Sequence, residues 1–157
     1  MGGGDSPRLG RGAAAILDVV PEKPPTTVAL RWTGGLIFEI AAGERQSVTD
    51  GDGKAGLSPV EMLAASLAGC MASDVAWILG RGRQDLRGLD VRLSADRAPE
   101  DPRRFVAIRV HFAATGDVAQ AQLDRAIALS HDKYCSVWHT LRQDLSLELT
   151  SSITPSS

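Results

Sequence analysis

The feature that most restricts the fold is a long apolar segment with a clear helix start. Ser58, Pro59 and Glu61 form an S-x-x-E capping box, in which Pro59 takes the first helical position. Good helix formers continue to Leu79, and Gly80 closes the element. Such a helix is about 33 Å long, because each residue adds about 1.5 Å. Since it is apolar on most sides, we expect it to lie at the centre of the protein.

The same segment is a poor membrane span. Residues 62–79 contain five alanines and include Ser66, Ser73 and Asp74, so we expect the hydrophobicity to fall well short of a span. The chain carries 17 basic and 19 acidic residues, with only three Trp, three Phe and one Tyr. This balance gives no general attraction to phosphates and few stacking platforms. We therefore expect neither a membrane nor a nucleic acid as a partner.

The segments on either side of the helix alternate as β-strands do. Gly34 and Gly35 separate two β-rich runs in the manner of a hairpin, and a third short strand is expected near 46–49. The period of two after the helix predicts two antiparallel neighbours. The expected strands are 27–32, 36–40, 89–95, 105–113 and 145–149, and the further helices are 118–129 and 134–141. The order predicts an α+β fold, with a curved antiparallel sheet around one long helix.

The length of 157 residues suits a single domain. We place this domain at 26–153, between a flexible N-terminal extension at 1–25 and a tail at 154–157, and we expect the polar residues after 149 to fray. The first twenty residues show no clear targeting signal. A cytoplasmic location is the resulting prediction.

Cys70 and Cys135 are the only cysteines, and they do not form a CxxC pair. Cys70 lies in the middle of the long helix, where the dipole of the helix end does not act, so a small buried apolar role is plausible for it. The adjacent Gly69 costs about 1 kcal/mol relative to alanine and indicates a close approach. Cys135 follows His131 and Lys133, whose positive charge would favour a thiolate.

Two kinds of site are compatible with these residues. Cys70 and Cys135 can form a redox pair, in which one thiolate becomes a sulfenic acid and the other resolves it as a disulfide. Alternatively, if residues 131–139 are helical, His131, Cys135 and His139 lie on one face. Together with Cys70 they then offer ligands for zinc. The local spacing does not decide between the two.

The sequence around each cysteine resembles the OsmC/Ohr family of thiol peroxidases. Residues 58–70, followed by Asp74-Val75, are similar to the central-helix signature of that family, and residues 133–137 to its second cysteine motif. The chain is nearer to the YhfA-like branch. The resemblance implies an OsmC-like fold, an intertwined homodimer with two enclosed long helices, and active sites at the subunit interface.

The resemblance also implies roles for individual residues. Cys70 would be the peroxidatic cysteine and Cys135 the resolving one, with organic hydroperoxides as substrates and a dithiol or a lipoylated protein as reductant. No metal or organic cofactor is implied. Glu61 is the candidate for the family's catalytic carboxylate, although it stands one residue nearer the cysteine and capping alone explains it. The family's arginine has no clear counterpart, because the loop before the helix contains only Lys54.

A different class of function is also open. An OsmC-like protein without peroxidase activity could bind a small apolar or thiol ligand in the same cavity at the dimer interface.

Overall fold

The structure, a computed structural model, describes residues 23–155. Most of the expected N-terminal extension and the last two residues of the tail therefore lie outside the described residues. The elements, in chain order, are β1 (Ala29–Gly34), β2 (Ile37–Ala42), β3 (Arg45–Asp50), α1 (Pro59–Arg81), β4 (Asp85–Arg97), β5 (Phe105–Asp117), α2 (Gln120–Leu129), a π-helical turn (Ser130–Tyr134), α3 (Ser136–Thr140) and β6 (Ser146–Thr154).

Helix α1 begins as its capping box predicts. The Glu61 amide donates to Ser58 Oγ, and Glu61 Oε2 accepts from the Ser58 amide at 2.8 Å and from Ser58 Oγ at 2.7 Å. These hydrogen bonds favour the ionised carboxyl and lower the pKa of Glu61. The start of α1 is thus fixed by local contacts that the sequence alone contains.

The first three strands form one antiparallel sheet in the order β1-β2-β3. The hairpin between β1 and β2 uses Gly34 and Gly35, whose φ angles of 131° and 56° are unfavourable for other residues. The third strand, expected near 46–49, is confirmed. In the loop that follows, Asp50 accepts hydrogen bonds from the amides of Asp52, Lys54 and Ala55.

The second sheet has the order β4-β5-β6. The expected antiparallel pairing of β4 with β5 is confirmed. Strand β6 instead pairs parallel with β5, from Ala107 opposite Ser146 to Thr115 opposite Thr154. The helical connection between these strands returns the chain to the end of the sheet where β5 began. Pairing continues to Thr154, so the expectation that residues after 149 fray is wrong.

The core lies between the second sheet and helices α1 and α2. Its buried side chains include Leu67, Met71, Val75 and Leu79 from α1, Ile108, Val110, Phe112 and Ala114 from β5, and Leu123, Ala126 and Ile127 from α2. These four positions of α1 are four residues apart and form a single stripe along the helix.

The other faces of α1 are not covered by the described residues. Leu63 is 40% exposed and Trp77 is 59% exposed, so the prediction that α1 lies at the centre is wrong for a single chain. The expectation that this segment falls well short of a membrane span is wrong, because by length and composition alone α1 could cross a membrane; core helices of soluble proteins pass the same test. The mixed α+β architecture itself is confirmed.

Replacing Ser58 with alanine tests the start of α1. We expect Ser58→Ala to lower the free energy of unfolding by about 1 kcal/mol, because the Glu61 amide loses its acceptor. Urea denaturation at one fixed protein concentration measures the change. The matched control is Ser73→Ala in the same helix, which removes only a hydrogen bond to the Gly69 carbonyl and should change stability by less than the cap variant. Equal effects of the two variants would contradict the capping argument.

Candidate dithiol site

The two cysteines meet although 64 residues separate them in the chain. Cys70 projects from the middle of α1, and Cys135 lies between the π-helical turn and α3. Their sulfur atoms and a carboxylate oxygen of Asp74 all lie within 4.8 Å of one another. Both thiols are free. The structure therefore brings the predicted pair together and adds a carboxylate to it.

The buried stripe of α1 determines how exposed the neighbouring site residues Cys70 and Asp74 are. Cys70 and Asp74 each precede a stripe residue, Met71 and Val75, by one position, and one position turns a helix by about 100°. Both side chains consequently stand at the edge of the buried face and are half-buried. A spacing of four residues places them one turn apart on the same side of the helix.

Cys135 is positioned by a break in the helical backbone. The π-helical turn ends at Tyr134, and Cys135 adopts an extended conformation with ψ of 93°. Its amide donates to the Ser130 carbonyl at 2.8 Å, and its Sγ accepts from the amide of Trp138 at 3.4 Å as the N-cap of α3. The sulfur is thus held by backbone contacts on both sides of the break.

Because of this break, the condition under which His131, Cys135 and His139 would share one helix face is not met. The His131 ring lies against Trp138, with 5.4 Å between the ring centroids, and its Nδ1 contacts Asp132 at 2.5 Å. His139 is exposed. Within residues 23–155, the closely spaced group of potential metal ligands at this place contains Cys70, Asp74 and Cys135 and neither histidine.

Asp74 was missed as a site residue by sequence reasoning. Its Oδ2 accepts a hydrogen bond of 2.8 Å from the hydroxyl of Ser130, a side chain that is fully buried. The signal was present, since an acidic residue in an apolar helix stands one turn after Cys70. Only the approach of the segment that carries Ser130 and Cys135 shows why this residue is there.

The two thiols have different environments. Cys135 is fully buried and Cys70 is only partly so. Burial raises the pKa of the Cys135 thiol to about 11, with further upward contributions from the neighbouring Cys70 and from Asp74, while the Trp138 amide acts in the opposite direction. This is the opposite of the thiolate that His131 and Lys133 were expected to favour, because burial raises the pKa of Cys135. Cys135 is therefore a protonated thiol at neutral pH.

Glu61 and Lys54 do not lie at the dithiol site of this chain. Cys70 follows Glu61 by nine positions of the helix, a rise of about 13 Å, and the Glu61 carboxylate accepts hydrogen bonds from Ser58. Lys54 Nζ lies 3.7 Å from the Asp52 carboxylate in the loop before α1. Within one chain, neither side chain is among the groups at the two sulfurs. The catalytic role of Glu61 stays a prediction.

Comparison with known proteins bears on this arrangement. The family described as "OsmC-like protein" matches residues 51–150, which contain α1 and both cysteines. The chain belongs to the OsmC-like family. The family predicted from the cysteine motifs is thereby confirmed.

A curated protein and a solved structure are similar to this chain. Protein YhfA of Escherichia coli K12 is 41% identical over 111 residues, which cover 69% of this chain and 83% of the relative. A hypothetical protein from Aquifex aeolicus VF5 has a similar structure, with a TM-score of 0.80 and 24% identity over 86% of this chain and all of its own.

The fold is also shared with a more distant OsmC-like structure. This is an organic hydroperoxide resistance protein OsmC from Legionella pneumophila, with a TM-score of 0.62 and 16% identity over 82% of this chain and 97% of its own. The OsmC-like fold predicted from the sequence is confirmed by these likenesses.

The raised pKa of Cys135 predicts how stability depends on pH. The folded chain holds this proton up to about pH 11, whereas an unfolded thiol with the ordinary value of 9.0 loses it earlier. The contribution of Cys135 to stability is therefore fully present below pH 9 and is lost as the pH rises toward 11. Urea denaturation under reducing conditions across this range should show a steeper fall for the parent than for Cys135→Ala. Parallel pH profiles would contradict the assignment.

Proposed function

We propose that the protein is a cysteine-based thiol peroxidase that reduces organic hydroperoxides. The observation that carries this proposal is the proximity of the Cys70 and Cys135 sulfur atoms, within 4.8 Å, in two unlike environments. A disulfide needs about 2.05 Å between its sulfur atoms, and side-chain rotation can supply much of the remaining approach. The pair is thus suited to reversible oxidation.

The first step falls to Cys70. Its thiolate attacks the distal oxygen of the hydroperoxide, the O–O bond breaks, and the alkoxide takes a proton and leaves as an alcohol. Cys70 becomes a sulfenic acid. Partial exposure supports this role, because a substrate can reach Cys70, whereas Cys135 is fully buried and protonated at neutral pH.

The second step falls to Cys135. Its sulfur attacks the sulfur of the Cys70 sulfenic acid, and its proton leaves with the hydroxyl group as water. The product is a disulfide between the two residues. A dithiol, either a small molecule or a lipoylated protein, then returns two electrons by thiol–disulfide exchange and becomes oxidised itself. On this chain the cycle uses only the two cysteines, and neither step that they carry out needs a bound metal or organic cofactor.

The relatives support the substrate class. The printed name of the Legionella protein assigns it to organic hydroperoxide resistance, and this chain shares its fold and family. A role in the response to oxidative stress, in the cytoplasm, follows for this protein as part of the proposal.

We also propose that the protein acts as an intertwined homodimer. Two large side chains of β1, Leu30 and Trp32, are 56% and 65% exposed. On α1, Leu63 and Trp77 are also exposed, at 40% and 59%. Large apolar side chains exposed on a strand and on a long helix support an interaction site on these elements. A second copy that covers α1 would give that helix the central position its composition predicts and would enclose the half-buried Cys70.

Rapid mixing with an alkyl hydroperoxide tests the peroxidase. We expect the reduced parent to consume one equivalent rapidly and to form the Cys70–Cys135 disulfide. Cys70→Ser should lose the rapid phase, because the remaining thiol, Cys135, is fully buried. Cys135→Ser should keep it and accumulate a sulfenic acid, which a dimedone adduct identifies by mass spectrometry. A Cys70→Ser variant that consumes peroxide as fast as the parent would contradict the proposal.

Glu61→Gln in the same assay separates capping from catalysis. Glutamine at this position still completes a capping box, so the free energy of unfolding should change little. If the carboxylate takes part in proton transfer, as the family resemblance implies, the rapid phase should slow by roughly 10²-fold. An unchanged rate would leave Glu61 with its capping role alone.

Light scattering tests the homodimer. The parent should have about twice the chain mass of 16.6 kDa, and Leu63→Glu should weaken the association because it places a charge in an apolar contact. Gln122→Glu, at an exposed polar position of α2, is the matched control and should remain a dimer. A monomeric parent would contradict the proposed assembly.

A further inference from the structure

The group formed by Cys70, Asp74 and Cys135 has a composition that redox chemistry alone does not require. Two sulfurs and a carboxylate oxygen lie within 4.8 Å of one another, yet disulfide formation needs only the sulfurs. Cys70 and Asp74 come from successive turns of α1, and Cys135 comes from the segment packed against them. Two ligands at i and i+4 on one helix, completed by a residue from elsewhere, is an arrangement that metal sites use.

The spacing of these atoms suits a tetrahedral metal ion. Zinc binds thiolate sulfur at about 2.3 Å and carboxylate oxygen at about 2.0–2.2 Å, so ligand atoms on the same ion stand roughly 3.5–4 Å apart. In the structure the three ligand atoms lie within 4.8 Å of one another, only slightly farther apart than the ligands of one ion. Small side-chain movements can bring them to ligating distance. Two sulfurs with one carboxylate also favour a borderline ion such as Zn²⁺ over Mg²⁺ or Ca²⁺.

No basic side chain of the described residues forms an ion pair with the carboxylate of the group. Asp74 accepts a hydrogen bond from Ser130, but in the described part of the chain no Lys or Arg forms an ion pair with it. Ligation deprotonates the two thiols, and without a cation the resulting thiolates and the carboxylate would repel one another. A bound divalent cation removes that repulsion and lowers the free energy of both thiolates.

The contacts around the group also fit a metal site. The Ser130 hydroxyl is fully buried and donates to Asp74 Oδ2, which leaves Oδ1 free to ligate. The Trp138 amide donates to the Cys135 sulfur. Outer contacts of this kind orient ligands before the metal arrives and tune its affinity.

From these observations we propose that the reduced protein binds one Zn²⁺ per chain through Cys70, Asp74 and Cys135. Each thiol releases its proton as its sulfur ligates the ion, and three protein ligands leave the fourth position to water. The bound ion occupies both sulfurs, so the zinc form cannot form the disulfide. After Zn²⁺ dissociates, an organic hydroperoxide can oxidise the free pair to the disulfide and is itself reduced to the alcohol and water; the disulfide lacks two ligands and cannot rebind the ion. Binding needs only the reduced sulfurs and is therefore independent of peroxidase activity.

Zinc titration of the full chain, kept reduced with a phosphine, tests the proposal. We expect one Zn²⁺ per chain by elemental analysis after dialysis, with the affinity measured by competition with a chromogenic chelator. Asp74→Asn should lower the affinity by about 100-fold, and Ser130→Ala, which removes an outer contact, by about 10-fold. Co²⁺ in place of Zn²⁺ should give thiolate-to-metal absorption in the near ultraviolet, reduced by about half in Cys135→Ser.

His139→Ala is the matched control, because that residue lies outside the group, and its affinity should equal that of the parent. The disulfide form of the parent supplies a second control without any substitution and should bind no Zn²⁺. Circular dichroism of each variant shows whether it is folded. The proposal is overturned if the reduced parent retains no stoichiometric Zn²⁺, if Asp74→Asn binds as tightly as the parent, or if His139→Ala abolishes binding.

Discussion

The packing of one stripe of α1 against the second sheet is the constraint on which the site depends. Leu67, Met71, Val75 and Leu79 form the buried line of the helix, and burial of each such side chain contributes on the order of 2 kcal/mol. This line fixes the rotation of α1 about its axis. Cys70 and Asp74 consequently stand at its edge, facing the segment that supplies Cys135 and Ser130. A rotation of α1 by one residue would place Met71 where Cys70 now lies, and the two cysteines would no longer be neighbours.

The position of Cys135 depends on a local break in the helical backbone. A π-helical turn followed by an extended residue takes Cys135 out of the helix and turns its sulfur toward α1. Full burial then separates the two thiols chemically, since Cys135 stays protonated at neutral pH while Cys70 remains within reach of solvent. An unequal pair of this kind suits sequential oxidation, with one sulfur attacking and the other resolving. The same two sulfurs, together with Asp74, also make a metal-ligating group.

Much of the fold could be predicted from the sequence because its signals are local. The capping box at Ser58 fixed the start of α1, and alternation of apolar residues located the β4–β5 pair. The parallel pairing of β6 could not be predicted, because alternation shows which side chains share a face and not the direction in which a strand enters the sheet. The position of α1 was wrong for a single chain, because composition shows that a helix must be covered and not which chain covers it.

The sequence by itself determined the helix, the hairpins, the family and the identity of the two cysteines, since each is specified by residues close together in the chain. Only the tertiary structure decided that Asp74 joins the cysteines and that His131 and His139 do not. The physical reason is that the π-helical turn and the extended Cys135 interrupt the helix on which the histidines would have joined the cysteine, and that the segments at 70–74 and 130–135 meet only through packing of the core.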